Sequence, residues 1–211
     1  DHFRGFSAAW TVAATEPTAA RGHWEPAPGA ALFTALRTAL GDLPFIAEDL
    51  GLITPDVIAL RDQFGLPGMA ILQYAFPADR APSPYLPHRY VRNLAAYTGT
   101  HDNDTIVGWW TRTPASHGEG AEAIEGSRQY LREYLQTDGW EIHRVCLHTL
   151  AASVADLVVA PLQDVLGLGN EARMNYPGTP EGNWAWRVRP DQLTPDAQAY
   201  LRWLLPLCER G

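Results

Sequence analysis

Three short segments of this chain each place an acidic residue among glycine, histidine or asparagine residues. They read Asp1-His-Phe-Arg-Gly-Phe6, Phe45-Ile-Ala-Glu-Asp-Leu-Gly51 and Thr98-Gly-Thr-His-Asp-Asn-Asp-Thr105. The last two each follow a short apolar run and end in turn residues, which is typical of side chains at the carboxyl ends of parallel strands, where (β/α) barrels keep their chemistry. Three carboxylates in one pocket could cleave a glycosidic bond, acting as nucleophile, acid/base and charge stabiliser.

Each carboxylate also has a plain structural interpretation. Asp1 could be an acid in an exposed turn, because loop carboxylates are common on protein surfaces. Glu48 could pair with an arginine such as Arg61. Asp102 could cap the next helix, although Asp104 is better placed than Asp102 for capping, and Asp104 or Thr105 is predicted to cap the helix that carries Trp109 and Trp110. The residues alone leave these alternatives open.

Tryptophan is abundant, with eight residues in the chain. Sugar rings stack on aromatic faces, but most tryptophans in proteins serve packing. Trp184 and Trp186 lie in a polar loop rich in glycine, proline and asparagine, so they are the better ligand candidates. Arg173, Asn175 and Asn183 in the same loop could bond sugar hydroxyls or could simply hold a structured surface loop.

Strands and helices alternate along the chain, which indicates an α/β fold with parallel strands. Residues 7–31 are predicted to be a loop with little regular structure. Strands are predicted at roughly 44–48, 68–76, 94–100 and 157–162, and helices at 30–40, 54–64, 121–135, 141–152 and 193–208. Four or five strands make half of an eight-stranded barrel, with an open sheet edge that is an aggregation hazard.

Composition excludes several classes of partner and cofactor. The net charge of -8 and the lack of a basic run disfavour nucleic acid and anionic membranes. Cys146 and Cys208 have no CxxC or metal-like spacing and are interpreted as buried thiols in a reducing compartment, so a cytoplasmic location is expected. A metal site of His101, Asp102 and Asp104 lacks further ligands at a recognisable spacing, so no metal is expected.

Five motifs in order resemble the 4-α-glucanotransferases of glycoside hydrolase family 77, the amylomaltases or disproportionating enzymes. The resemblance runs the whole length of the chain, and the five motifs together are highly specific. They are Asp1–Phe6, Ile46–Gly51, Phe64–Met69, Tyr97–Thr105 with Gly108–Trp110, and Asn175–Thr179 with Asn183–Arg187.

This resemblance implies a (β/α)8 TIM barrel and a retaining, double-displacement mechanism. Asp1 matches the nucleophile at the fourth strand, Glu48 the acid/base at the fifth, and Asp102 the transition-state stabiliser at the seventh. The nucleophile and acid/base carboxyls should then lie about 5–5.5 Å apart. The substrates implied are maltooligosaccharides or other α-1,4-glucans, without a cofactor. Substrate contacts are implied for three more residues: His101, Asp49 and Asn175.

The whole chain, 1–211, is expected to be the C-terminal portion of one catalytic barrel domain, with strands 4/5 to 8 and their helices. Related enzymes carry an arginine two residues before the nucleophile, a position that precedes Asp1. The isolated fragment is therefore expected to be inactive. Two alternatives remain, an α-glucan hydrolase on the same scaffold and a non-catalytic glucan-binding remnant.

Overall fold

A computed structural model describes residues 2–210, and the side chains of all these residues except 116 and 117. The chain divides into two compact units. The first comprises the chain up to Met69 together with Asn93–Ala95, and the second comprises Ala70–Arg92 and the chain from Ala96 onward.

The α/β character predicted from the sequence is confirmed. The strands are β1 (Ala8–Thr11), β2 (His23–Pro26), β3 (Gly68–Ile71), β4 (Leu94–Tyr97) and β5 (Leu157–Val159), and the helices are α1 (Gly29–Leu40), α2 (Pro55–Gln63), α3 (Ile106–Thr111), α4 (Pro114–His117), α5 (Ala121–Leu135), α6 (Ile142–Ala151), α7 (Leu162–Val165) and α8 (Pro195–Leu207).

The first unit is built on a cluster of aromatic side chains. The ring of Phe33, from α1, lies 5.6 Å from that of Phe3 and 5.4 Å from that of Phe64. Val57 and Leu60 from α2 are buried against the same cluster. This core anchors the backbone that leads from the amino terminus and the backbone that leads into Glu48.

A hairpin follows the amino-terminal segment, so the prediction of an irregular loop over 7–31 is wrong. Strands β1 and β2 pair antiparallel, with Trp10 opposite Trp24. The two indoles meet edge to face at 5.4 Å, and the Arg4 guanidinium lies 3.9 Å above Trp24. Cross-strand aromatic pairs of this kind stabilise a ribbon whose connecting segment carries no tight-turn signal.

The predicted strand at 44–48 is reduced to a single bridge. His2 pairs with Glu48 in a parallel sense, and the Ala47 N–H donates to the carbonyl of Pro67 at 2.8 Å. In a parallel ladder the next donor would be the Met69 N–H, but that group donates to the Asp49 carboxylate at 2.8 Å instead. A side chain has therefore replaced the bond that would extend the strand.

The remaining strands form a three-stranded sheet of order β3–β4–β5. They are shorter than predicted, because the segment Leu72–Ala75 leaves β3 as a 3-10 turn and β4 ends at Tyr97. The connection from β4 to β5 contains helices α3 to α6. The end of β4 and the start of α3 are separated only by residues 98–105.

Helices of the second unit begin and end where local signals place them. Thr194 caps α8 by accepting the Ala197 N–H at 3.2 Å. Helices α6 and α8 pack through buried apolar side chains. The Arg210 guanidinium donates to the Ala151 carbonyl at 3.0 Å and the Ser153 carbonyl at 2.8 Å, satisfying acceptors at the end of α6.

Candidate active site

The first unit presents Glu48 at the end of the bridged segment. Its carbonyl accepts the Phe3 N–H at 2.7 Å, so the backbone of Glu48 is fixed beside the amino-terminal segment. Its carboxylate accepts the Leu50 N–H at 3.1 Å. On one side Glu48 borders a mostly apolar cavity of about 210 Å³. Asp1, the predicted nucleophile, lies outside the described residues.

Asp49, next in sequence, faces the protein rather than solvent. One carboxylate oxygen lies 2.6 Å from Arg61 Nη1, the other accepts the Met69 N–H at 2.8 Å, and the side chain is 8% exposed. A Cβ at Gly68 would lie 2.4 Å from the Asp49 carboxylate, so this approach requires glycine. Arg61, suggested as a partner of Glu48, pairs with Asp49 and Asp62.

The second unit presents His101 and Asp102 on a turn that follows β4. The carbonyl oxygen of the Asn103 side chain accepts both the backbone N–H of Thr100 at 2.8 Å and its hydroxyl at 2.9 Å. The Asp102 N–H donates back to the Thr100 hydroxyl at 3.3 Å. The loop therefore has a defined shape before any ligand binds.

Thr105, not Asp104, caps α3. The Thr105 hydroxyl accepts the Gly108 N–H at 3.0 Å, whereas the carboxylate of Asp104 forms a buried ion pair with Arg173. Of the two caps predicted for this helix, Asp104 and Thr105, the structure confirms Thr105, and Asp104 does not cap it. Its charge is needed to neutralise a guanidinium that reaches it from a loop about 70 residues away.

Asp102 remains accessible while being held on several sides. Its side chain is 46% exposed, and His101 Nε2 lies 3.4 Å from one carboxylate oxygen. The Asn175 side-chain amide donates to the other oxygen at 2.5 Å, and the Asn175 N–H donates to the His101 carbonyl at 3.0 Å. The structure thus brings together three of the residues predicted for the site.

Arg173 organises this group. Its Nη2 donates to the Asp102 carbonyl at 2.6 Å and its Nε to the Asn175 carbonyl at 2.8 Å, while Nη1 binds Asp104. The guanidinium also lies 4.3 Å above the Tyr176 ring. Of the two roles left open for Arg173, the structure favours loop organisation over direct contact with sugar.

Asn183 closes the turn of the same loop. Its side-chain oxygen accepts the Tyr176 N–H at 2.8 Å, and its amide nitrogen donates to the Thr179 carbonyl at 3.0 Å. The structure therefore favours loop organisation for Asn183 as well.

Asp164 is a functional candidate that the sequence did not indicate. It is 1% exposed, accepts the Thr98 hydroxyl at 2.5 Å and the Ile106 N–H at 2.7 Å, and so joins the end of β4 to the start of α3. Burial raises the pKa of its carboxyl to about 6, against the opposing effect of these two hydrogen bonds. The only sequence signal is an acid two residues after the predicted strand at 157–162.

A cavity of about 430 Å³ opens beside Asp102 in the second unit. This lies within the size range of small-ligand sites. The cavity combines aromatic and polar side chains, among them Gln73, Tyr74, Trp109, Arg112 and Glu119.

Among the side chains that the structure describes, no group of three or more histidine, cysteine, aspartate or glutamate residues could hold a metal ion. Within residues 2–210, the structure contains no helix with the length and apolar character of a membrane span.

Comparison with known proteins gives consistent matches. The 4-alpha-glucanotransferase model of glycoside hydrolase family 77 matches residues 1–194. The chain is 49% identical along its whole length to a 4-alpha-glucanotransferase of Thermus thermophilus and covers 41% of it. It is 48% identical to one of Synechocystis sp., again along its whole length, and covers 40% of that protein.

Solved structures agree. An amylomaltase from Streptococcus agalactiae, in complex with acarbose, superposes on all of this chain with a TM-score of 0.89 and 37% identity. The chain covers 41% of that structure. An amylomaltase from Corynebacterium glutamicum, at 20% identity and a TM-score of 0.66, shares the fold over 87% of the chain. The chain thus spans about 41% of the length of the first curated relative.

Proposed function

Because this chain belongs to glycoside hydrolase family 77, the 4-alpha-glucanotransferases, we propose that the protein containing it transfers α-1,4-glucan segments to an acceptor glucan or glucose. The observation that carries the proposal is the environment of Asp102, a half-exposed carboxylate fixed by Asn175 and flanked by His101. A group of this kind is suited to a positively charged transition state with sugar hydroxyls around it.

We further propose that residues 1–211 belong to one (β/α)8 barrel and form its C-terminal portion. The parallel bridge between His2 and Glu48 supports adjacent strands 4 and 5. The sheet order β3–β4–β5 supports consecutive strands 6, 7 and 8. The cytoplasmic location expected from the sequence stays a prediction.

In the proposed mechanism two carboxylates take part in making and breaking bonds, and a third stabilises charge. Asp1 attacks the anomeric carbon while Glu48 protonates the leaving glycosidic oxygen, giving a covalent glucosyl-enzyme and a released glucan with a free hydroxyl. Glu48, now ionised, then removes a proton from the 4-hydroxyl of an acceptor, whose oxygen displaces Asp1. The configuration at the anomeric carbon is retained after the two displacements.

Asp102 would act by charge rather than by bond formation. An oxocarbenium-like transition state develops positive charge, which an ionised carboxylate stabilises most strongly when water is excluded. The Asn175 amide donates a hydrogen bond to the carboxylate and so fixes its direction before substrate arrives. His101 is proposed to bind a sugar hydroxyl beside it.

Asp49 stays a candidate substrate contact, but its geometry favours a supporting role. Both of its oxygens are bonded within the protein, to Arg61 and to the Met69 N–H. We propose that it acts mainly by fixing the backbone adjacent to Glu48. Substitution of Asp49 should then alter stability as well as activity.

The experiment that tests the proposal is product analysis with maltotriose. The protein is expressed with all the coding sequence that flanks residues 1–211, as the parent, as Glu48→Gln and as Glu25→Gln. Glu25 is an exposed hairpin residue that pairs with His23, so it controls for loss of one carboxylate. Transfer gives glucose plus longer glucans with no net gain of reducing ends, whereas hydrolysis increases reducing ends.

We expect the parent and Glu25→Gln to disproportionate maltotriose at similar rates. Loss of a general acid/base costs about 100- to 10,000-fold in rate, so Glu48→Gln should fall by that amount. A net rise in reducing ends would instead indicate the hydrolase alternative. Glucan binding without turnover, unchanged by Glu48→Gln, would overturn the proposal in favour of a binding protein.

A further inference from the structure

Trp184 combines two properties that packing does not explain. Its backbone has a φ of +60°, in the left-handed region that side chains other than glycine and asparagine rarely adopt. Its side chain is also among the exposed large apolar groups, with the residue 52% accessible to solvent. A glycine at this position would relieve the backbone strain and remove the exposed indole, so folding alone does not favour tryptophan here.

Hydrogen bonds fix the backbone of Trp184 on both sides. Its N–H donates to the Met174 carbonyl at 2.7 Å, and its own carbonyl accepts a bond from Arg187 Nη1 at 2.8 Å. Met174 lies between Arg173 and Asn175, the two residues that hold Asp102. The backbone of Trp184 is therefore fixed to the same loop segment that holds Asp102.

The indole also touches that site directly. The Trp184 ring lies 4.9 Å from the His101 ring, at an interplanar angle of 39°. His101 in turn lies beside the Asp102 carboxylate. An exposed aromatic face thus borders a cluster of groups able to bond hydroxyls, which is the combination that a pyranose needs: apolar C–H faces for the ring and polar partners for its edge.

We propose that Trp184 is a stacking platform for a glucose ring of an α-1,4-glucan, one that adjoins the ring bonded by His101. The inference rests on the proposed function, because it takes the glucan as the ligand of the neighbouring residues. Trp184 contributes binding and takes no part in bond breaking. Its strained backbone is the feature that directs the indole toward the ligand.

The test is titration with maltoheptaose in the Glu48→Gln background, where the ligand is not consumed. The protein again carries all its flanking coding sequence. Trp184→Ala and Trp184→Phe are compared with Trp203→Ala, which removes an equally exposed indole from α8. We expect Trp184→Ala to weaken binding by about three- to tenfold, since aromatic contacts contribute on that scale. Trp184→Phe should recover most of the affinity, and Trp203→Ala should bind as its background does.

A second variant separates binding from folding. Trp184→Gly should raise the urea midpoint of unfolding, because glycine accepts a positive φ, while it weakens maltoheptaose binding as much as Trp184→Ala. Affinity unchanged in both variants would overturn the inference. So would a lower unfolding midpoint accompanied by lower affinity, because that is the result of a structural tryptophan.

Failure of the proposed function would look different. In that case the parent protein would fail to disproportionate maltotriose, whatever the Trp184 variants do to maltoheptaose binding. Transfer activity with no effect of Trp184 would reject this inference alone.

Discussion

Asp164 offers a sharp test of how the loop bearing His101 and Asp102 is held. Its carboxyl is buried between the Thr98 hydroxyl and the Ile106 N–H. The informative change is Asp164→Asn, because an amide keeps an acceptor for Ile106 and can donate to the Thr98 oxygen while carrying no charge. The variant thus removes the titration and keeps the connection.

The expected size of the effect follows from the pKa of Asp164. Burial raises this pKa from an ordinary 3.8 to about 6 in the folded protein. Well below pH 3.8 the carboxyl is protonated in both folded and unfolded states, so its contribution to stability is fully present. As pH rises to 6 the unfolded chain loses this proton before the folded protein does, and the contribution is lost. The interval corresponds to roughly 3 kcal/mol.

Urea unfolding followed by tryptophan fluorescence, repeated from pH 4 to pH 8 at constant ionic strength, measures this effect. Other carboxyls titrate in parent and variant alike, so the difference between the two curves isolates Asp164. We expect the free energy of unfolding of Asp164→Asn, relative to the parent, to rise by about 2–2.5 kcal/mol between pH 4 and pH 7. Asp156→Asn, which removes an exposed charge, should show no such trend.

A second variant checks the hydrogen bonds. Asp164→Ala should follow the same pH trend as Asp164→Asn, because neither titrates. It should lie lower by about 1–3 kcal/mol for each buried group left without a partner, at every pH. A difference between Asp164→Asn and the parent that stays constant from pH 4 to pH 7 would refute the reasoning, since it would mean that burial does not perturb this carboxyl.

Three further substitutions test other contacts, each by urea unfolding. Thr105→Ala removes the cap of α3 and should lower the free energy of unfolding by about 1 kcal/mol, whereas Thr105→Ser should restore it. Gly108→Ala would place a Cβ 2.0 Å from the side-chain oxygen of Asn170, so we expect a loss of about 1–3 kcal/mol, and a neutral result would show that the loop moves freely. Arg61→Leu leaves the buried Asp49 carboxylate without its cation and should cost about 3 kcal/mol, with Asp49→Asn in the same protein recovering part of the loss.

The helices were predictable because their signals are local. The segment Ala121–Leu135 is helical over the range that its apolar spacing predicted, and the Thr194-Pro195 pair starts α8. Capping residues and helical periodicity act within one or two turns, so one stretch of sequence contains the information. The same is true of α2, which ends where Gly65 adopts a φ of +64°.

The hairpin and the site network were not predictable for the opposite reason. Trp10 pairs with Trp24 across a connection without a turn signature, and Asp164 bonds Thr98 and Ile106, which lie 66 and 58 residues away in sequence. Such contacts depend on where the chain returns in three dimensions. A sequence read alone shows Asp164 as one acid among many.

Two of the three acidic motifs share a pattern in the structure. In the segment at Glu48–Asp49, the second acid is buried with Arg61. In the segment containing Asp102, the acid two residues later, Asp104, is 6% exposed in its side chain and is buried with Arg173.

Each loop thus contains one carboxylate available for chemistry and one bound to an arginine that holds the loop. Residue type alone does not separate the two, because both are acids in the same turn, and it was the family resemblance that assigned chemistry to Glu48 and Asp102. A bound acid can be replaced by a neutral group only at a cost in stability, since the arginine loses its partner. An available acid can be replaced at a cost in rate. The distinction between Glu48 and Asp49, and between Asp102 and Asp104, therefore becomes measurable when unfolding and turnover are compared for the same four amide variants.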